Sequence, residues 1–163
     1  MLEIRTQTPE DADMVATLTE ATKSPILGVL FNKLEEEDLT TFNEVAVWDG
    51  KIVGKAVAVK AEIDSKEAPA PVVYLMPLVV MPEYVRRGIA LVLVRKILEE
   101  CKTLGTGALL AHGNPEFFKH LDFLPAELFG IGDTTGEVTD KLMAKEITEG
   151  YLAEKGGNLK LPF

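Results

Sequence analysis

The sequence predicts a single α/β domain, residues 1–163, built on a mixed sheet flanked by helices. Three observations lead to this fold class. Strand and helix patterns follow in the order β-α-α-β-β-β-α-β-α-β, a two-residue turn joins two strands, and a long apolar strand runs directly into an amphipathic helix. Hairpins and helical crossovers both occur, so antiparallel and parallel pairs are expected together. A chain of this length can bury a sufficient core.

The N-terminal quarter predicts one strand and two helices. Apolar and polar residues alternate over residues 2–6, which is typical of a short strand. Thr8 suits a helix cap and Pro9 suits the first helical position, so a helix is expected to start here. A second helix should include residues 26–34, and the acidic run at 35–38 predicts a solvated turn.

A hairpin and the central strand follow. Residues 44–48 and 51–61 are rich in β-branched and small apolar side chains, and Asp49-Gly50 between them is a strong signal for a tight turn. Residues 65–71 predict a loop. Residues 72–81 are almost entirely apolar and predict a strand that is buried on both faces.

The second half of the chain predicts alternating helices and strands. Apolar side chains recur at helical spacing over residues 88–103, and Leu104-Gly105 suits the end of that helix. The later elements are a buried strand at 108–111, a helix capped by Asn114, a strand at 141–147 and an ordered tail at 150–163.

Composition disfavours several classes of function. A net charge of −9 repels nucleic acid on average. One cysteine and two histidines argue against a dedicated zinc site and exclude an internal disulfide. No signal peptide is recognisable, and the longest apolar run has only half the roughly 20 residues of a membrane-spanning helix. We therefore expect a cytoplasmic protein that binds neither nucleic acid, nor membrane, nor metal.

The junction between the central strand and the following helix predicts an anion site. Arg86 and Arg87 precede Gly88 and Ala90, which lack bulk, and a helix begins at once. Free backbone N–H groups and the helix dipole favour a phosphate there, and the arginines can add hydrogen bonds. The alternative is a plain strand-to-helix turn with surface arginines. Neither a P-loop nor a dinucleotide-binding glycine pattern occurs.

Two segments carry a resemblance to a known family. Pro77-Leu-Val-Val-Met-Pro-Glu-Tyr-x-x-x-Gly-x-Ala90 resembles the acetyl-CoA signature of the GCN5-related N-acetyltransferases (GNAT), which reads Gln/Arg-x-x-Gly-x-Gly/Ala. Gly113-Asn-Pro-Glu-Phe-Phe-Lys-His-Leu-Asp-Phe123 and the C-terminal tail resemble the YhbS-like members of that family. The resemblance implies a three-layer fold around a mixed, mostly antiparallel sheet. It also implies transfer of an acetyl group from acetyl-CoA to a primary amine by direct attack.

The resemblance also implies the binding residues. In this family the backbone of the central strand pairs with pantetheine, and the loop and helix start bind the diphosphate. The cofactor-binding residues expected on this basis are Leu78, Val79, Val80, Val85, Arg86, Arg87, Gly88, Ile89, Ala90, Asn114 and Phe117.

Two positions depart from the family pattern. Val85 stands where the family has Gln or Arg, and Phe117 and Phe118 stand where many relatives have a Tyr that protonates the CoA thiolate. General acid catalysis contributes about 10²–10⁴-fold, so its loss need not abolish turnover. Two alternatives to an enzyme therefore remain: a non-catalytic CoA-binding or sensing module, and an interaction domain without a cofactor.

The general base and the acceptor are less well specified. His112 is the candidate base, against the alternative of a partly exposed loop histidine, and Glu62 is a second candidate. Cys101 and Trp48 are interpreted as packing residues. The sequence does not identify the acceptor amine. The late strand and apolar tail could pair across a homodimer.

Overall fold

The computed structural model describes residues 1–137 and 139–163. Its α-helices are α1 (Ala12–Ala21), α2 (Pro25–Glu36), α3 (Ile89–Leu104) and α4 (Pro115–Lys119). Its strands are β1 (Leu2–Thr6), β2 (Thr40–Trp48), β3 (Lys51–Ser65), β4 (Ala70–Val80), β5 (Ala108–His112), β6 (Leu124–Pro125), β7 (Ile131–Gly132), β8 (Leu142–Glu146) and β9 (Gly157–Lys160). Short 3₁₀ turns cover Pro9–Asp11, Pro82–Tyr84 and Ala126–Phe129.

This architecture confirms the predicted fold class, a mixed and mostly antiparallel sheet flanked by helices. The predicted elements occur in the predicted order, with the additional strands β6, β7 and β9 after α4. The turn between β2 and β3 has positive φ angles at both Asp49 (48°) and Gly50 (80°), as a two-residue hairpin turn requires. Asn114 caps α4 as predicted, because its side chain accepts a hydrogen bond from the N–H of Glu116 at 3.0 Å.

Three sequence predictions need correction. The acidic run forms a turn only at Glu37 and Asp38, because the helix-favouring Glu35 and Glu36 continue α2. The loop predicted at 65–71 is shorter, since β3 and β4 extend into both of its ends. The central strand is buried on both faces only from Val72 to Leu75; its residues at 76–78 and 80 are half-exposed.

Contacts divide the chain into two compact units. The first comprises residues 1–58 and 76–97, and the second comprises residues 59–75 and 98–163. Strands β3 and β4 and helix α3 contribute residues to both. The prediction that residues 1–163 act as one domain stays a prediction.

The first unit contains β1, β2, α1, α2 and the adjoining parts of β3, β4 and α3. β1 pairs antiparallel with β2, from Leu2 opposite Trp48 to Thr6 opposite Glu44. The fully buried side chains of this unit include Leu18, Leu34, Val45, Ile52, Val53 and Val57. Apolar burial of this kind supplies most of the favourable free energy of folding.

A partly buried ion pair fixes the chain where β1 leads into α1. The Arg5 guanidinium donates two hydrogen bonds to the Asp11 carboxylate, at 2.7 and 2.8 Å. Asp11 also accepts the backbone N–H of Thr8 at 2.8 Å. Hydrogen bonding from Arg5 holds the pKa of Asp11 well below its usual range, so the carboxylate stays charged. The two-point contact orients the entry into the helix.

Lys55 is a second buried charge in this unit. It lies in the middle of β3, only 3% exposed, and its ammonium donates to Gln7 Oε1 and Asn43 Oδ1. The ring of Phe31 lies 5.0 Å from Nζ. Burial lowers the pKa of Lys55 to about 8, against an opposing effect of Glu35. Removing this ammonium from water therefore reduces the stability of the fold.

The second unit is built on β5. This strand pairs parallel with β4, from Val73 opposite Leu109 to Leu75 opposite Ala111, and antiparallel with β8. β9 pairs with both β3 and β7. The C-terminal tail is ordered as predicted, and the Tyr151 hydroxyl donates to the Pro71 carbonyl at 2.5 Å.

The sequence did not predict β6, β7 and β9. β6 and β7 have only two residues each, and β9 lies within a segment that contains two adjacent glycines, Gly156 and Gly157. Such segments have no periodicity of their own and become strands only because a partner is present. In the described part of the chain, no helix combines the length and hydrophobicity that spanning a membrane requires.

The close approach of β9 to β3 predicts that Gly157→Ala destabilises the protein. A methyl group there would overlap the backbone of Asp64, 2.6 Å from its carbonyl carbon. We expect the free energy of unfolding to fall by roughly 1–3 kcal/mol in urea denaturation. Gly28→Ala in α2 is the control: its methyl group would meet Thr19 at an ordinary 3.7 Å and should stabilise by about 0.5–1 kcal/mol. Equal stability of the two variants would contradict this packing.

The burial of Lys55 predicts a stability that rises with pH. Its folded pKa of about 8 lies below the usual 10.5, so between these values the unfolded chain binds more protons than the folded chain. The stabilisation is fully present above pH 10.5 and is lost as the pH falls through 8; it amounts to about 3 kcal/mol.

Urea unfolding of Lys55→Met at pH 7 and at pH 10.5 checks this expectation. Because methionine does not titrate, the free energy of unfolding of the variant should not rise from pH 7 to pH 10.5. Relative to the parent, the variant should therefore be less stable at pH 10.5 than at pH 7. Lys60→Met is the control, since Lys60 lies on the same strand but is exposed. A pH dependence shared by Lys55→Met and the parent would show that another group titrates.

Candidate functional site

The candidate site of the first unit begins where β4 ends. Backbone hydrogen bonds hold this turn: the N–H of Met81 donates to Val53 at 2.7 Å, and the N–H of Tyr84 donates to Met81 at 2.8 Å. The Val85 N–H lies 3.5 Å from the Pro82 carbonyl, which is long for a hydrogen bond. Val85 is nevertheless directed into the turn, so it is a poorer donor to a ligand than the residues that follow.

The next backbone N–H groups are available to a ligand. The first N–H to bond back within α3 belongs to Val92, which donates to the Gly88 carbonyl at 3.1 Å. Within residues 1–137 and 139–163, no backbone acceptor is assigned to the N–H groups of residues 88–91, whereas Val85 and Arg86 lie in a hydrogen-bonded turn. Positive φ at Arg86 (64°) and Gly88 (78°) curls the chain before the helix begins. Consecutive N–H groups in such a curl, together with the helix start, form an anion-binding concavity.

The two arginines of this loop differ in their surroundings. The Arg87 guanidinium carbon lies 4.8 Å from the ring centroid of Tyr84 and 5.3 Å from that of Trp48. The two rings also contact each other, with centroids 5.7 Å apart. Both arginines are exposed, and the cation–π contact with the two rings restrains Arg87. Trp48, interpreted from the sequence as a packing residue, thus also positions an arginine of the loop.

The start of α3 is pressed against β3. A methyl group on Gly54 would lie 3.1 Å from both Ile89 Cγ2 and Leu93 Cδ1, closer than side chains normally approach. Both helix residues are buried. The absence of a side chain at Gly54 therefore sets the distance between sheet and helix, and with it the position of the free N–H groups.

The remaining predicted site residues lie in the second unit. His112 ends β5 opposite Leu142 and is exposed. The Asn114 side-chain oxygen is occupied by the helix cap described above, so its evident role is structural. Phe117 is half-exposed. Leu78–Val80 and Val85–Ala90 belong to the first unit.

Phe118, at the expected position of the acid, lies in an aromatic cluster. It is 4% exposed, with ring centroids 5.0 Å from Phe117 and 5.1 Å from Phe123. Glu62, the second candidate base, is exposed. Cys101 is fully buried and its pKa is raised to about 12, which fits the predicted core role and disfavours a reactive thiolate.

Sequence reasoning missed a cavity in the first unit. It has a volume of about 630 Å³ and lies between α1, α2 and the sheet, and Lys55 contributes to its lining. The signal was a single lysine inside the apolar run Ile-Val-Gly-Lys-Ala-Val-Ala-Val of β3. A lysine flanked by apolar residues is either exposed at the edge of a sheet or buried with a polar partner for its ammonium group.

Comparisons with solved structures identify the fold. The chain matches the GNAT family N-acetyltransferase YhbS from Escherichia coli, solved in complex with CoA, with a TM-score of 0.87 and 22% identity over 98% of this chain and 89% of that one. It also matches a GNAT family acetyltransferase from Brucella melitensis, solved with acetyl-CoA, with a TM-score of 0.77 and 19% identity over 98% and 95% of the two chains. A putative GNAT acetyltransferase from Desulfovibrio desulfuricans gives a TM-score of 0.65 and 16% identity, over 91% and 100%.

The family assignment comes from the sequence. No curated protein matches it significantly. The model of the acetyltransferase (GNAT) family, however, matches residues 5–123, which include the end of β1, the strands β2 to β5, the loop with free N–H groups and the Phe118 cluster. The chain therefore belongs to the GNAT acetyltransferase family, and its activity is that of an acyl-CoA-dependent N-acetyltransferase.

Proposed function

We propose that this protein transfers the acetyl group of acetyl-CoA to a primary amine, with residues 1–163 acting as one cytoplasmic domain. One observation carries the proposal: the unpaired backbone N–H groups of residues 88–91 at the start of α3. Such groups, with the helix dipole behind them, favour a diphosphate. Both solved relatives named above with CoA or acetyl-CoA share this fold, which supports the same cosubstrate here.

The proposed cofactor contacts follow the chain. The diphosphate binds the loop Arg86–Ala90 through those N–H groups that have no backbone acceptor, and the Arg86 side chain adds a charged hydrogen bond. Pantetheine lies along the backbone of Leu78–Val80, a stretch in which Leu78 and Val80 are half-exposed. The role of Val85 in the cofactor site is reduced to its exposed side chain, since its N–H is turned toward Pro82. Asn114 and Phe117 remain assignments from the family resemblance.

The proposed chemistry is direct attack of a neutral amine on the thioester. The nitrogen forms a bond to the carbonyl carbon, the oxygen gains negative charge, and the Val80 N–H is the proposed donor to that oxygen. Collapse of the intermediate breaks the C–S bond and expels the CoA thiolate, and the nitrogen releases its extra proton to solvent to give the amide. His112, whose side chain is exposed at the end of β5, is the proposed base that removes the ammonium proton of the substrate.

Phe118 favours one alternative function. A buried phenylalanine at the position of the usual acid is also consistent with a module that binds CoA without turning it over. A thiol-release assay over a panel of primary amines distinguishes the two. Cofactor binding without thiol release would support the sensing module, and release with any amine would exclude it. A homodimer, and the absence of nucleic-acid binding, remain predictions from the sequence.

The proposed diphosphate contact predicts the effect of Arg86→Ala. Loss of a charged hydrogen bond at this exposed loop should raise the dissociation constant for acetyl-CoA by about tenfold, measured by isothermal titration calorimetry. Arg95→Ala is the control, because Arg95 is exposed on α3 but lies beyond the first turn of that helix. An unchanged affinity of Arg86→Ala, or an equal loss in both variants, would remove Arg86 from the site.

The missing acid predicts the effect of Phe118→Tyr. A hydroxyl at this position should raise kcat by about tenfold or more and leave KM for acetyl-CoA unchanged, because only departure of the thiolate is assisted. Phe129→Tyr is the control, because Phe129 is half-exposed and lies outside α4, and it should leave kcat unchanged. If Phe118→Tyr melts like the parent and its kcat does not rise, protonation of the thiolate does not limit turnover.

A further inference from the structure

The cavity beneath α1 and α2 has the size of a small-molecule site. Its volume of about 630 Å³ falls within the roughly 300–1,000 Å³ typical of such sites. All of its lining residues belong to the first unit, from the segments at 7–20, 28–43 and 55–57. None of the residues to which the acetyl-CoA role is assigned lines it. The cavity is therefore a separate feature that the proposed function does not explain.

Its most deeply buried charged group is the Lys55 ammonium. Two of the three N–H donors of Nζ bind the neutral oxygens of Gln7 and Asn43. Each of these amides keeps an NH₂ group that can donate elsewhere. A buried cation with neutral partners gains strongly when an anion approaches, because water no longer competes for it. The base of the cavity is thus suited to a carboxylate.

The lining also carries charge of the opposite sign. Three carboxylates, those of Glu20, Glu35 and Asp38, contribute to it and are exposed. Glu35 is close enough to act on the Lys55 charge. The exposed part of the lining is therefore negative and the buried part positive. A ligand with an ammonium and a carboxylate matches both, whereas a simple amine or a simple acid matches only one.

The remaining wall is apolar. Val15, Phe31, Leu34 and Val57 line the space beside Lys55. A free amino acid with a small side chain would leave much of this surface uncovered, and burying an aliphatic or aromatic side chain there gains free energy in proportion to its apolar area. The lining thus favours an amphipathic ligand of modest size.

We propose that this cavity binds a zwitterionic amine of the α-amino acid class, with its carboxylate on Lys55, its ammonium toward Glu35 and its apolar side chain against Phe31. The site recognises the charge pair and the apolar group together. Binding does not depend on acetyl transfer, so the cavity acts either as the acceptor site or as a site for an effector.

Calorimetry with matched probes tests the proposal on the full chain. L-leucine and L-phenylalanine are compared with their amides, which lack the carboxylate charge, and with 4-methylpentanoate and 3-phenylpropanoate, which lack the amine. We expect at least one amino acid to bind about tenfold more tightly than its amide and than its deaminated analogue, as one well-placed charge contact per end would produce.

Variants then assign each end of the ligand. Lys55→Met should abolish the preference for the acid over the amide, and Lys60→Met, an exposed lysine on the same strand, should retain it. Glu35→Gln should reduce the preference for the amino acid over the deaminated acid. Thermal melting of each variant confirms folding before titration.

Three results would overturn the proposal. The first is the absence of binding by both amino acids at about 10 mM in a protein that still binds acetyl-CoA. The second is equal affinity for acid and amide, and the third is a preference for the acid that survives in Lys55→Met. Failure of acetyl-CoA to bind would count against the proposed function instead and leave the cavity result unaffected.

Discussion

The first turn of α3 leaves backbone N–H groups without an acceptor, and the proposed chemistry depends on this constraint. A helix start always has such groups, but they form a binding site only when the chain exposes them and holds them still. Here the hydrogen-bonded turn after β4 fixes one side of the loop. Gly54 fixes the helix side of the loop, because the absence of a side chain there lets Ile89 and Leu93 of α3 pack directly on β3. Preorganised donors of this kind bind an anion without the entropy loss that ordering a loop would cause.

Aromatic side chains arrange both candidate regions. In the first unit, Trp48 and Tyr84 hold the Arg87 guanidinium beside the loop. In the second unit, Phe118 packs with Phe117 and Phe123, so the position from which relatives are expected to supply a proton is part of a hydrophobic cluster. A phenylalanine keeps the packing but not the hydroxyl. The packing is thereby preserved, and the CoA thiolate must leave without a proton from this side chain. A thiol pKa of about 8.5 makes the thiolate a good enough leaving group for this.

Asp11 and Lys55, two buried charged side chains of the first unit, have different hydrogen-bond partners. Asp11 is paired with Arg5 through two hydrogen bonds, so its charge supports the start of α1. Lys55 has neutral partners and faces a cavity, and its charge reduces the stability of the fold at neutral pH. Natural proteins tolerate such a group mainly where it serves recognition or catalysis. Asp11 thus has a direct ion-pair partner, whereas the Lys55 ammonium donates only to neutral oxygens.

The sequence alone determined the features that depend on neighbouring residues. The Asp49-Gly50 turn, the α3 helix, the Asn114 cap and the strand-to-helix loop each have a local signal, since φ preferences, capping and periodicity act over a few residues. The tertiary structure decided what depends on distant residues. Segments as short as β6 and β7 become strands only beside a partner strand. Phe118 packs against Phe123, and the Lys55 ammonium donates a hydrogen bond to Gln7, which precedes it by 48 residues. Burial and pairing are properties of the packed chain, so no window of sequence could contain them.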